Sequence, residues 1–312
     1  MKFRTTIKTA NRAGDFRHTN KVLTIGSCFA NHLTDRLHKG MFDVTADPFG
    51  ILFNPESIAI SFENALTGSI DDGLIIERQG YHFHYDYHSA IGAPNKVALI
   101  ETIQSKQKQL KAALLTSDRL VMTFGTAWAY QLLAKEHIVA NCHKVPQHNF
   151  NKELLDLTGL KERYLNLFAK LKELNPSLEI VLTVSPVRHI KNGLNGNNLS
   201  KSILLLLTNY LANELEYVSY FPSYEVLMDD LRDYRFFKED LIHPTDQAVD
   251  YVMEVFEATF FDLQTKEIVE LAGKLSRLKA HKQLFPTNET TLQHENQIRS
   301  LEAKISKLKA QL

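Results

Sequence analysis

The chain has 312 residues, 44% of them hydrophobic, enough for one large core plus an appendage. Lys and Arg together number 36, as do Asp and Glu, so the formal net charge is zero and no global field attracts nucleic acid or anionic lipid. No stretch reaches the ~18 consecutive apolar residues of a membrane-spanning helix. The charged start from Met1 to Ile7 runs into polar residues rather than an apolar leader. The two cysteines, Cys28 and Cys142, lie far apart, which excludes a disulfide scaffold and a Cys-x-x-Cys zinc site. A cytoplasmic protein with free thiols, binding neither membrane nor nucleic acid, is expected.

Lys21 to Ile25 is a short β-branched run that breaks at Gly26, and Phe29, Leu33 and Leu37 then follow at helical spacing. The same strand-then-break pattern recurs where Leu120 to Phe124 meets Gly125, and where Leu178 to Val184 meets Ser185-Pro186. Helical patterns over Ile100 to Leu115 and Leu154 to Leu174 are long enough to connect parallel strands. These elements predict a three-layer α/β/α sandwich around a mostly parallel sheet, flavodoxin-like in outline. Ligands collect at the carboxyl ends of such strands, so the loops at Gly26, Gly125 and Ser185 are expected to share one cleft.

The main α/β domain is expected to span residues 1–262, with a helical tail over 263–312. In the tail, Ile268, Leu271, Leu275 and Leu278 repeat at three- and four-residue steps. After a break at Phe285-Pro286-Thr287-Asn288 the stripe resumes in Ile298, Leu301, Ile305, Leu308 and Leu312. A helical hairpin follows, its stripes packing on each other or on the core. A homodimer through a coiled coil of these helices is the alternative.

A Ser-Cys pair between a buried strand and a helix is where a nucleophile belongs, because the turn lifts its side chain out and the helix N-terminus supplies amide donors. That field is expected to lower the thiol pKa of Cys28. The competing reading makes Ser27 a helix cap and Cys28 a packing residue. Near the other end, Asp240-Leu241-Ile242-His243-Pro244 precedes a helical pattern from Gln247 to Phe256. An Asp three residues ahead of a His can fold back onto the imidazole and fix its tautomer, as in a catalytic triad.

The segment Gly26-Ser27-Cys28-Phe29-Ala30 resembles the namesake motif of the GSCFA family, which is thought to belong with the SGNH/GDSL hydrolases. Pro48 to Pro55, Phe124 to Trp128, Ser185 to His189 and Asp240 to Pro244 resemble further blocks of that family, in order, over roughly residues 1 to 260. By this resemblance Cys28 takes the nucleophile position, Ser27 remains the alternative, and the backbone N–H of Gly50 helps form an oxyanion hole. The wider group carries Gly-x-Asn-Asp where this chain has Gly125-Thr126-Ala127-Trp128, so an Asn donor is missing. Thr126 and Asn54 are the candidates to replace it.

The resemblance implies a cofactor-free esterase using Cys or Ser, His and Asp on acyl esters, acetyl esters of carbohydrates in particular. An O-acyltransferase of the same fold, or a weakened binding or scaffold protein assembling through its tail, are the other readings. His88, Arg188, His189 and Trp128 are expected at the substrate. Arg188 would clamp a carboxylate or phosphate. Lys191 to Asn198 reads as a flexible polar loop at the cleft rim. No metal is expected: alternation from Tyr81 to His88 puts His82, His84, Asp86 and His88 on one strand face, which reads as a solvated face opposite aromatic packing. Cys142, beside His143 on an expected strand, is read as structural.

Overall fold

Short aliphatic runs with β-branched residues form the strands, and the longer periodic segments between them form the helices. In chain order the first half gives β1 (Lys21–Gly26), α1 (Cys28–Lys39), β2 (Asp43–Ala46), α2 (Pro55–Thr67), β3 (Ile75–Arg78), β4 (Tyr81–His84), β5 (Gly92–Ala93) and α3 (Lys96–Thr116). Then come β6 (Arg119–Phe124), β7 (Trp128–Leu132), β8 (His137–Val139), β9 (Phe150–Leu154), α4 (Leu157–Leu174), β10 (Glu179–Val184), α5 (Gly193–Glu214) and β11 (Val218–Phe221). A short helix, α6 (Ser223–Glu225), runs into a π-helical turn, and α7 (Asp246–Phe260), α8 (Leu263–Ala280) and α9 (Asn288–Lys309) complete the chain. This computed structural model describes residues 4–281 and 287–312.

The central sheet has five strands in the order β11-β10-β6-β1-β2, every neighbouring pair parallel. Alternation along each strand sends its apolar residues to two different cores. On one face Leu23, Ile25, Leu120, Met122, Phe124, Ile180 and Leu182 pack under α2 to α5. On the other, Val22, Val121, Val181 and Phe221 meet Phe29, Leu33 and Leu37 of α1 and the Val252-Phe256-Phe260 stripe of α7. The predicted α/β/α sandwich is therefore the observed one. The strand ends are level, since Gly26 pairs with Thr123 and Val184 with Phe124.

Several elements differ from their predicted form. The helix expected from Leu154 starts at Leu157, because Leu154 pairs with Trp128 in β9 and Asp156 accepts the Gly159 N–H to start the helix. The expected flexible loop Lys191–Asn198 becomes helix from Gly193, its Asn197 and Ser200 turned inward. The alternating strand ends at His84, and the expected solvated face is buried there. His137 donates to Asp86 at 2.6 Å, Asn64 does so at 3.0 Å, and the Asp86 N–H donates to His84. Residues 141–144 are not a strand, since His143 and Lys144 take left-handed φ of 47° and 59°.

The tail forms the predicted hairpin. Ile268, Leu271 and Leu275 of α8 close on Ile305 of α9, with Ile298, Leu301 and Leu308 partly buried beside them. Leu312 lies beyond α9 and is exposed. Phe285 and Pro286 of the expected break lie outside the described residues; Thr287 caps α9. Helix α8 rests on the domain through Thr265, which accepts the His18 N–H.

Candidate active site

The turn after β1 requires glycine. Gly26 has φ +130°, and a Cβ there would sit 2.1 Å from the Thr123 carbonyl oxygen, which instead accepts the Ser27 N–H at 3.0 Å. Ser27 occupies the N-cap position of α1, yet its hydroxyl caps nothing; it is buried, 1% exposed, with no hydrogen-bond partner among the described residues. Cys28 opens the helix and is half-buried. Burial pushes its thiol above the ordinary range and outweighs the pull of its own amide, so the lowered pKa expected from the helix N-terminus is not found in the free protein.

The Asp240–His243 segment folds back as its spacing predicts. Asp240 Oδ1 accepts the N–H groups of Ile242 (2.9 Å) and His243 (3.0 Å), while Oδ2 lies 2.7 Å from His243 Nδ1. The N–H of His243, its ring and the Ile242 N–H hold the Asp240 carboxyl down at about 2. Leu241 takes a left-handed φ of 56° to make this turn, and Thr245, not Asp240, caps α7. Burial first, then the positive charge of Lys238, lowers the pKa of the His32 imidazole, one turn along α1 from Cys28, with a smaller effect of the same sign from His243. Among the described residues His243 makes no hydrogen bond to Cys28 or Ser27.

The oxyanion candidates divide. The Gly50 N–H donates to the Asp47 carbonyl (3.2 Å), so it is not free for an oxyanion here, contrary to expectation; the His88 ring packs on its open face. Thr126 is likewise occupied: its N–H donates to Phe53 O, its hydroxyl accepts from the Trp128 N–H and shares a hydrogen bond with Ser200. Asn54 caps α2 through Oδ1, accepting the Ser57 N–H at 2.8 Å. That bond fixes its rotamer, and among the described residues nothing accepts from its Nδ2 donors.

Beside the turn lies a cavity of about 420 Å³, bordered by Asn54, Thr126, Trp128, Lys152, Arg188 and His189, with Cys142 and Ile242 also on its wall. Four of the residues proposed from sequence are thus neighbours of Asn54 here, whereas His88 sits apart against Gly50 and bonds Ala90. Trp128 is fixed by donating Nε1–H to Gly196 O at 3.0 Å. His189 Nε2 and Ser27 Cβ both approach Gly125 so closely that a side chain at that position would meet them at 3.4 and 3.0 Å. Burial first, then the positive charge of Lys201, drives the His189 imidazole down to about 3. Burial raises the Cys142 thiol to about 11, which keeps it protonated although it borders the cavity.

Two lysines escaped the sequence reading. Lys201 is buried in α5, and its ammonium donates to the Gly125 and Ser185 carbonyls, both at 2.6 Å, tying together the loops after β6 and β10. Its phase with Leu204, Thr208 and Leu211 on the inner side of α5 is the signal that would have found it. Lys152 reaches Asn192 Oδ1 at 2.8 Å and lies 5.6 and 5.4 Å from the Trp128 and Tyr130 rings. Among the described residues no group of three His, Cys, Asp or Glu side chains could hold a metal ion, and no helix is long and apolar enough to cross a membrane.

A parallel α/β sandwich with an Asp-held imidazole, and with a Ser-Cys turn at the carboxyl end of β1, is the class of protein these features define. The match of residues 21–256 to the GSCFA family places the chain in that family, and it belongs there. Among solved structures it is similar to a Clostridium thermocellum family 3 carbohydrate esterase, at 11% identity over 82% of this chain and 100% of that one, with a TM-score of 0.35. No curated protein matches the sequence.

Proposed function

We propose that the chain hydrolyses acyl esters, acetyl esters of carbohydrates foremost, with Cys28 as nucleophile and His243, held by Asp240, as base. The observation that carries this reading is the 2.7 Å Asp240–His243 pair. Exposure favours Cys28 over Ser27, since Ser27 is shut away and Cys28 is half-open.

His243 takes the thiol proton as Cys28 Sγ bonds to the ester carbonyl carbon; the carbonyl electron pair moves to oxygen, held by the Cys28 N–H and Asn54 Nδ2. Collapse breaks the C–O bond, and the alkoxide leaves with the proton from His243. Water, deprotonated by His243, then attacks the thioester and releases the acid and the free thiol. A thiol that burial keeps protonated suits this scheme, because it needs a base at the moment of attack.

The test is kcat/KM on p-nitrophenyl acetate and on an acetylated methyl glucoside. Cys28→Ala and His243→Ala are expected to lose at least about 10³-fold, and Asp240→Asn up to about 10⁴-fold. Activity that survives Cys28→Ala but not Ser27→Ala moves the nucleophile to Ser27. Indifference to Cys28, Ser27 and His243 alike overturns the esterase.

A further inference from the structure

The 420 Å³ cavity is one-sided in charge. Lys152, Arg188 and Lys191 bring three cations to its wall, and no Asp or Glu among the described residues joins them, although the chain as a whole is neutral. Arg188 is half-buried, its guanidinium carbon 4.1 Å from the Phe237 ring centre and 5.3 Å from that of Tyr234; both rings line a neighbouring cavity with Asp229 and Asp233, so the arginine stands between the two cavities. Among the described residues it has no carboxylate partner, and its side chain donates no hydrogen bond. Lys152 likewise has only an amide oxygen and two ring faces. Partly desolvated cations without counter-ions are costly unless an anion completes them, and the planar fork of an arginine fits a two-oxygen anion. The surroundings of His189 agree, since Lys201, His243, Lys152 and Lys191 all act on it with positive sign.

We propose that this cavity is a subsite for an anionic oxyacid group, carboxylate or phosphate, carried by the acylated sugar, with Arg188 gripping its oxygens and Lys152 and Lys191 adding charge. The proposal deepens the esterase reading and rests on it for the acyl group, though not for the anion.

Trp128, the single tryptophan, stands on the cavity wall, so its fluorescence reads binding directly. In Cys28→Ala protein, which removes turnover, methyl β-glucuronide, glucose 6-phosphate and neutral methyl β-glucoside are titrated separately. At least one anionic sugar is expected to bind about 10- to 100-fold more tightly than the neutral one. The rank of glucuronide against phosphate then says which anion the site takes. Arg188→Gln is expected to abolish the preference, and Lys191→Gln, on an exposed side chain outside the core, to reduce it. Equal binding of all three sugars, no response of Trp128 to any of them, or a preference that survives Arg188→Gln overturns the subsite. The p-nitrophenyl acetate assay judges the esterase separately, because that ester carries no anion.

Discussion

Gly26 and Lys201 show how much of the cleft depends on single residues. Alanine at position 26 would drive its Cβ into the Thr123 carbonyl at a φ of +130°. Gly26→Ala is therefore expected to cost at least about 3 kcal/mol in urea unfolding, and an unchanged midpoint would mean that the turn rearranges. Lys201 titrates in the opposite sense to a paired lysine. Burial lowers its folded pKa to about 7, against 10.5 for the ordinary side chain. Between those values the unfolded chain holds a proton that the folded one lacks, so unfolding takes up a proton and stability rises with pH. Below pH 7 both states are charged and the cost of the dry ammonium is at its full extent. The stability of the native protein relative to Lys201→Met is thus expected to grow from pH 7 to pH 9, by up to about 1.4 kcal/mol per unit. A difference independent of pH in denaturant titrations would refute this. The turn at Gly26 was legible as a break after a strand, but the part of Lys201 was not read; what makes it unusual is the pair of carbonyls brought to it from two other loops. The Asp240–His243 pair was legible because it closes within three residues.

Among the elements, the C-terminal hairpin uses its own apolar stripes. Ile268 is fully buried between α8 and its neighbours, and Ile305 of α9 is 2% exposed against the same cluster. Ile305→Asp is accordingly expected to lower the melting temperature by several degrees while light scattering returns the same mass. A fall in mass would instead make the hairpin an interface between copies. The stripes were readable because a 3.5-residue repeat is local. Strands β2 and β11 and, apart from β4, the two small antiparallel sheets were not read, and β2 shows why: Asp43–Ala46 is a polar edge whose pairing with β1 is dictated by the sheet rather than by its own residues. The central strands β1, β6 and β10, buried on both faces, announce themselves as apolar runs.

At the scale of the whole molecule, the sheet brings the two ends of the chain to one edge. The Ser-Cys turn follows the first strand, whereas Asp240 and His243 lie beyond β11, the last strand of the sheet. Under the proposed mechanism, therefore, Cys28 emerges early from a ribosome and waits through the synthesis of nearly the entire domain before His243 is made. On that reading, a nascent chain or one truncated before His243 lacks the base that its thiol needs. Completion of the fold would then itself be the step that arms the site.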